Sequence, residues 1–149
     1  MELKELVDRY QAAMNSVYRG VNQILKEKID PEITTDQFST LQYIRNNGRC
    51  TSTEIAQKFG IGKSAVTAQI NKLYDKGFIE RKRDEKDRRI VYLNLTQTGK
   101  ELVELSETKL YPEIYKQLAH FNIEDIQKFI GLLEELAKLM EERVEGRYS

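Results

Sequence analysis

Apolar residues in the first thirty positions fall in a regular seam. Leu3, Val7, Tyr10, Met14, Val17, Val21 and Ile24 follow one another at alternating steps of four and three. That is the heptad spacing of a helix that lays one stripe against a long neighbour. The pattern predicts a helix from about Glu2 to Lys28, closed by Asp30-Pro31 because the residue before proline avoids the helical region. A helix of this length opening a small chain has more apolar face than its own globule needs, which points to a second subunit as its partner. An ordinary core helix is the plainer alternative.

Shorter elements follow. Thr34 with Gln37 reads as a capping box opening a helix with Phe38, Leu41 and Ile44 inward, stopped at Asn46-Asn47-Gly48. Thr51 with Glu54 reads as a second box, opening a helix with Ile55, Ala56 and Phe59 inward. Gly60-Ile61-Gly62 is a corner. The next helix, about Lys63 to Lys76, buries Val66, Ile70 and Leu73 and ends at Gly77. Two short helices around a glycine turn make a helix-turn-helix. Phe78 to Arg83 and Ile90 to Leu95 then read as two strands around a polar tip, Asp84 to Arg89. Thr96 caps a helix to about His120 that contains Pro112, where a bend is expected. Asn122 caps a last helix with a wide apolar stripe. The predicted class is mainly α with a small β wing: a winged helix-turn-helix flanked by long N- and C-terminal helices.

Composition refines this picture in a few places. The 149 residues carry no formal net charge, yet Lys58 to Arg89 holds ten basic and five acidic residues, a local excess of +5 against −5 elsewhere. A phosphate backbone responds to such a local field. The outer face of the second helix of the pair carries Lys63, Ser64, Ala65, Thr67, Ala68, Gln69, Asn71 and Lys72. These side chains are small or amide-bearing, and they suit a groove: amides can pair with base edges, and hydroxyls can reach bases or phosphates. At the hairpin tip, Arg88 or Arg89 can enter a minor groove, with Arg83 and Lys86 beside them. Asp87 is read as holding an arginine in place, since phosphate repels a carboxylate.

Other chemistry is sparse. One cysteine (Cys50) and one histidine (His120), in separate elements, fall far short of a metal site, so no metal and no cofactor are expected. No nucleophile-and-base pair or phosphate loop suggests an enzyme. No apolar run approaches the roughly 20 residues of a membrane span, and the chain reads as cytoplasmic.

The ordered set Thr34, Gln37, Phe38 and Leu41, then Glu54-Ile55-Ala56, then Ser64, Val66, Thr67, Leu73, Gly77, Phe78, Ile79 and Arg81, then Asp87-Arg88-Arg89, Leu95-Thr96 and Gly99 resembles the MarR family of bacterial transcriptional regulators. The resemblance spans nearly the whole chain. It implies one MarR-type domain over residues 1–149, with a winged-helix DNA-binding lobe at 33–98 and a helical dimerisation lobe from 1–30 and 97–147. It implies a homodimer on double-stranded DNA at a pseudo-palindromic operator, acting as a repressor and released by a small, often phenolic, effector. Ser64, Thr67, Gln69, Asn71 and Lys72 fall on the family's recognition helix, and Asp87 and Arg89 on its wing motif. The dimer seam is expected at Leu3, Val7, Tyr10, Met14, Leu132, Leu136, Leu139 and Met140. Tyr10, Tyr18, Phe38 and Tyr43 are candidates for an effector pocket, with plain core or dimer packing as the other reading. The peroxide-sensing branch carries a cysteine in its first helix, and here there is none. A non-specific architectural DNA binder and a winged-helix protein-interaction module are the rival functions.

Overall fold

The computed structural model describes residues 1–148. In chain order the elements are α1 (Leu3–Lys28), α2 (Thr35–Asn47), α3 (Ser52–Phe59), α4 (Lys63–Asp75), β1 (Ile79–Arg83), β2 (Val91–Leu95), α5 (Gln97–Leu118) and α6 (Ile123–Tyr148). The fold is mainly helical, with a two-stranded antiparallel wing.

The boundaries follow from capping chemistry. At α2 the box forms in both directions: Gln37 N–H donates to the Thr34 hydroxyl, and Thr34 N–H donates to the Gln37 side-chain oxygen. At α3 only half of the expected box forms, with Glu54 N–H donating to Thr51. Gly60 and Gly77 both take positive φ, 65° and 80°, at the ends of α3 and α4, a conformation that a Cβ disfavours. Asn122 accepts from Asp125 N–H and opens α6. Helix α5 runs unbroken through Pro112.

The core joins the reader helices to the ends of the long ones. Ile33, Phe38, Leu41 and Ile44 meet Ile55, Val66, Ile70 and Leu73, closed by Leu93 and Leu95 from the wing and by Leu25, Val103 and Leu110 from α1 and α5. In β2 the residues Leu93 and Leu95 point inward, as alternation requires. The hairpin pairs Ile79 with Leu95 at its base and Arg83 with Val91 near its tip.

One expectation changes. Phe59, expected inward, is 37% exposed, with its ring in an edge contact with Tyr43, centroids 5.8 Å apart. It is the last residue of a two-turn helix, beyond the reach of the core that Ile55 and Ala56 enter. Phe38 sits in the core at 5% exposure on the face it shares with Leu41, as the inward reading of that helix had it. Cys50, just before α3, is tied to the wing. Its N–H donates to the Leu93 carbonyl at 3.2 Å and its carbonyl accepts from Leu93 N–H at 2.7 Å, a one-residue third strand that anchors the wing.

Both long helices keep large apolar side chains outside. Leu3, Val7, Tyr10 and Met14 on α1 and Leu132, Leu139 and Met140 on α6 are between 38% and 77% exposed. Leu6, Val7, Tyr10, Leu136 and Met140 line one apolar groove of about 270 Å³. No helix among the described residues is long and apolar enough to cross a membrane.

Candidate nucleic-acid interface

Helix α4 buries Val66, Ile70 and Leu73 and leaves the opposite face open. At 3.6 residues per turn, Ser64, Ala68 and Asn71 form the stripe facing away from that buried side. Lys63, Ala65, Thr67 and Lys72 flank it, and all of these are exposed. The helix begins at Gly62 with no side-chain cap, and its first turn has no acidic residue. Its partial positive charge and free N–H groups are therefore left for an outside anion.

Gln69 departs from the sequence reading. It lies one turn from both Val66 and Leu73, at the margin of the buried stripe, and is half-buried. Its amide oxygen sits 2.7 Å from the Thr40 hydroxyl on α2, which also reaches the Asp36 carbonyl at 2.9 Å. Gln69 thus ties α4 to α2 in place of standing on the outer face.

Asn71 is outward, but it is held. The Arg81 guanidinium donates to its side-chain oxygen. Arg81 lies across the face of Tyr74, 4.3 Å from the ring centroid. Arg81 was noted in the sequence only as part of a motif. The signal that could have found it is the pairing of strand and helix, which places a β1 side chain against the end of α4.

The wing tip is organised by one residue pair. Arg89 donates to Asp87 three times, from the backbone N–H, Nε and Nη2, each at 3.1 Å. The arginine holds the Asp87 carboxyl below its ordinary range, and the carboxylate raises the arginine in turn. Arg83 Nη1 donates to the Arg88 carbonyl at 2.7 Å, bracing the turn from inside. Arg88, Lys86 and Arg89 are exposed. On β2, one residue from the tip-end pair, the Tyr92 ring carries the Arg49 guanidinium at 4.2 Å from its centroid. The reader lobe thus exposes an uncharged stripe flanked by Lys63 and Lys72 on α4, and Lys86, Arg88 and Arg89 at the wing tip.

The reader also has fixed contacts with the long helices. Asn22 on α1 accepts at 2.6 Å from both the N–H and the hydroxyl of Thr35 at the start of α2. Tyr18 donates to Asp36 at 3.1 Å. Arg45 on α2 pairs with Glu107 on α5, and Tyr111 donates to the same carboxylate at 2.9 Å while accepting from Gln42 at 3.1 Å. Glu107 is held below its ordinary range, chiefly by Arg45. Lys58 on α3 reaches Glu141 on α6 at 3.0 Å.

The four candidate pocket aromatics face separate surroundings. Tyr10 borders the α1–α6 groove, Tyr18 caps Asp36, Phe38 is core, and Tyr43 meets Phe59. A larger recess of about 540 Å³ lies between the α1–α2 junction and the end of α4, lined by Lys26, Pro31, Glu32, Thr34, Gln37, Lys72, Asp75 and Lys76 and by none of these aromatics. Cys50 is buried, and burial pushes its thiol up to about 11.

Comparison with known proteins agrees with this geometry. The MarR family model matches residues 33–91. YwaE of Bacillus subtilis, an HTH-type transcriptional regulator, is 30% identical over 132 residues, covering 82% of this chain and 74% of the relative. Streptococcus pneumoniae FabT, solved in complex with DNA, matches with a TM-score of 0.78 and 23% identity over 95% of this chain and 99% of that one. A MarR variant from E. coli, complexed with operator DNA, matches with a TM-score of 0.75 and 22% identity over 91% and 99%. Helix-turn-helix, cationic wing and these likenesses agree: the chain belongs to the MarR family of DNA-binding transcriptional regulators, a family of regulators and not of enzymes.

Proposed function

We propose that the chain works as a homodimer on a pseudo-palindromic operator and represses by occupying it. The observation that carries this is the pairing of two surfaces on one chain: a cationic reader and wing, and an apolar face on α1 and α6. The apolar face fits a second copy, whose reader then falls in register with the next half-site. In each protomer α4 lies in a major groove, with Ser64, Thr67, Ala68 and Asn71 toward the bases and Lys63 and Lys72 toward phosphate. Arg88 and Arg89 reach the adjoining minor groove. A dimer covering two grooves excludes other proteins from the same stretch of duplex.

The reader, 33–98, acts as one lobe and the helices 1–30 and 97–147 as the other. Release by a small aromatic molecule would act at the junction between them, where Asn22, Tyr18 and Arg45 fix the angle of α2. Tyr18, bonded to Asp36, and Tyr111, bonded to Glu107 and Gln42, are aromatic side chains at that junction.

Binding-site selection at stated salt, paired with sedimentation, tests this reading. The expected result is one inverted repeat with half-sites about one helical turn apart, bound by a dimer. Salt-sensitive binding without a motif would replace it with an architectural role. A monomer on single half-sites would remove the dimer.

A further inference from the structure

One contact between helix and wing bears on which base Asn71 reads. Arg81 on β1 rests on the Tyr74 ring and donates from Nη2 to Asn71 Oδ1. Asn71 and Tyr74 are one turn apart on α4 and both exposed. A guanidinium has donors and no acceptor, so the atom of the amide that it meets is the oxygen. The amino group Nδ2 is left as the part of Asn71 that is offered outward, on the same stripe as Ser64 and Ala68.

We infer that Arg81 is a positioning residue that fixes the polarity of Asn71, so that α4 reads an acceptor-bearing base edge, guanine or thymine, and not adenine. The two-bond adenine contact needs the amide oxygen to accept from N6 while the amino group donates to N7. Oδ1 keeps a second lone pair, but to accept from N6 it must be shared between the base and Arg81, and the N6 amino group then comes up beside a guanidinium that can only donate. Adenine N7 is an acceptor too, but with that donor next to it, whereas guanine presents O6 and N7, and thymine O4, which Nδ2 can meet without calling on Oδ1. The tyrosine ring holds the guanidinium in place from below, so Arg81 shapes the preference whether or not it touches DNA. This inference rests on α4 lying in the major groove.

The test is competition binding to operators carrying each of the four base pairs at every half-site position. Wild type is compared with Asn71→Ala, Asn71→Asp, Arg81→Lys, Arg81→Met and the double variant Asn71→Ala/Arg81→Met. Asn71→Ala should flatten one position, where wild type prefers guanine or thymine. Asn71→Asp, which keeps an oxygen for Arg81 and deletes Nδ2, should lose the same preference. Arg81→Met keeps the reach across Tyr74 and removes the donor, so adenine should gain about tenfold relative to wild type at that position. The double variant should lose this gain, and Arg81→Lys, which keeps a donor, should retain the wild-type order. An Asn71-dependent preference for adenine in wild type would overturn the inference, as would an Arg81→Met loss equal for all four bases with no adenine gain. A wild-type motif that no Asn71 variant alters would overturn it while leaving operator binding intact. A wild-type protein with no motif would overturn the operator reading itself.

Discussion

The carbonyl oxygen of Phe78 occupies the place where a side chain on Gly99 would start. A Cβ there would stand 2.0 Å from that oxygen and 3.0 Å from its carbon. Thr96 draws the two segments together: its N–H donates to the Phe78 carbonyl at 3.1 Å and its hydroxyl to the Gly77 carbonyl at 2.6 Å, while Gly99 N–H donates to that hydroxyl at 3.0 Å. The start of α5 is thereby seated on the root of the wing. Gly99→Ala is expected to force them apart and cost about 1–3 kcal/mol, as overpacking does. Thr96→Ala removes the cap and costs about 1 kcal/mol. Urea midpoints measure both, and an unchanged midpoint for Gly99→Ala would remove the close approach as a constraint.

Asp87 and Arg89 should separate by their salt dependence. Arg89→Ala is expected to weaken operator binding by about tenfold and to reduce the salt slope by about one. Asp87→Ala keeps the Arg89 charge and removes a negative one, but it frees the guanidinium, so affinity should fall less than for Arg89→Ala and the slope should not drop. The pair stands while the carboxylate is ionised. Because Asp87 is held below its ordinary range, the contact is complete above that range and is lost only as pH falls through the lowered value. Affinity and salt slope measured for both variants at neutral pH decide the matter.

Cys50 should behave as an inert core thiol. Its reaction with an aromatic disulfide reagent is expected to be slow in native protein and prompt in denaturant, and peroxide should leave DNA binding unchanged. The thiol is raised to about 11 by burial, with a smaller push from Glu54. Its contribution to stability is complete below the ordinary thiol value and is lost as pH rises toward that number. Rapid labelling of the native protein would contradict the burial.

The Arg45–Glu107 pair should matter more for angle than for stability. Both side chains are partly exposed, so Glu107→Gln is expected to cost about 0.5–1 kcal/mol. The depressed carboxyl gives the wild-type pair full effect above the ordinary carboxylate range, declining as pH falls through the lowered value, and the variant should lack that part of the pH profile. If the pair fixes α2 against α5, operator affinity should fall while the dimer persists. Equal affinity in the two proteins would make it a surface ion pair only.

What could be read from the chain was whatever rests on local chemistry. Thr34 with Gln37, Gly77, Thr96 and Asn122 each set a boundary through bonds made within a few residues. The buried trio Val66, Ile70 and Leu73 fixed which side of α4 faces out. What escaped depends on partners distant in sequence. Gln69 turns to Thr40, Cys50 bridges to Leu93, and Arg81 crosses to Asn71. None of these contacts shows as a period, and even Arg81, which falls in a motif, could be joined to Asn71 only once the packing of a second element was known. Phe59 shows the limit of pattern even within a helix, because the stripe said inward and the helix ended too soon.

Residues Leu3 to Gly20 of α1 are all exposed in the isolated chain, and within that helix only Leu25 is fully buried. A helix in a protein takes most of its stability from the packing of its apolar face. With a second copy on that face, its rigidity becomes a shared property, and the melting temperature rises with the amount of protein present. In the proposed dimer, the order of these leading helices would therefore follow the amount of protein present, and dilution that parts the copies would leave each helix without its packing.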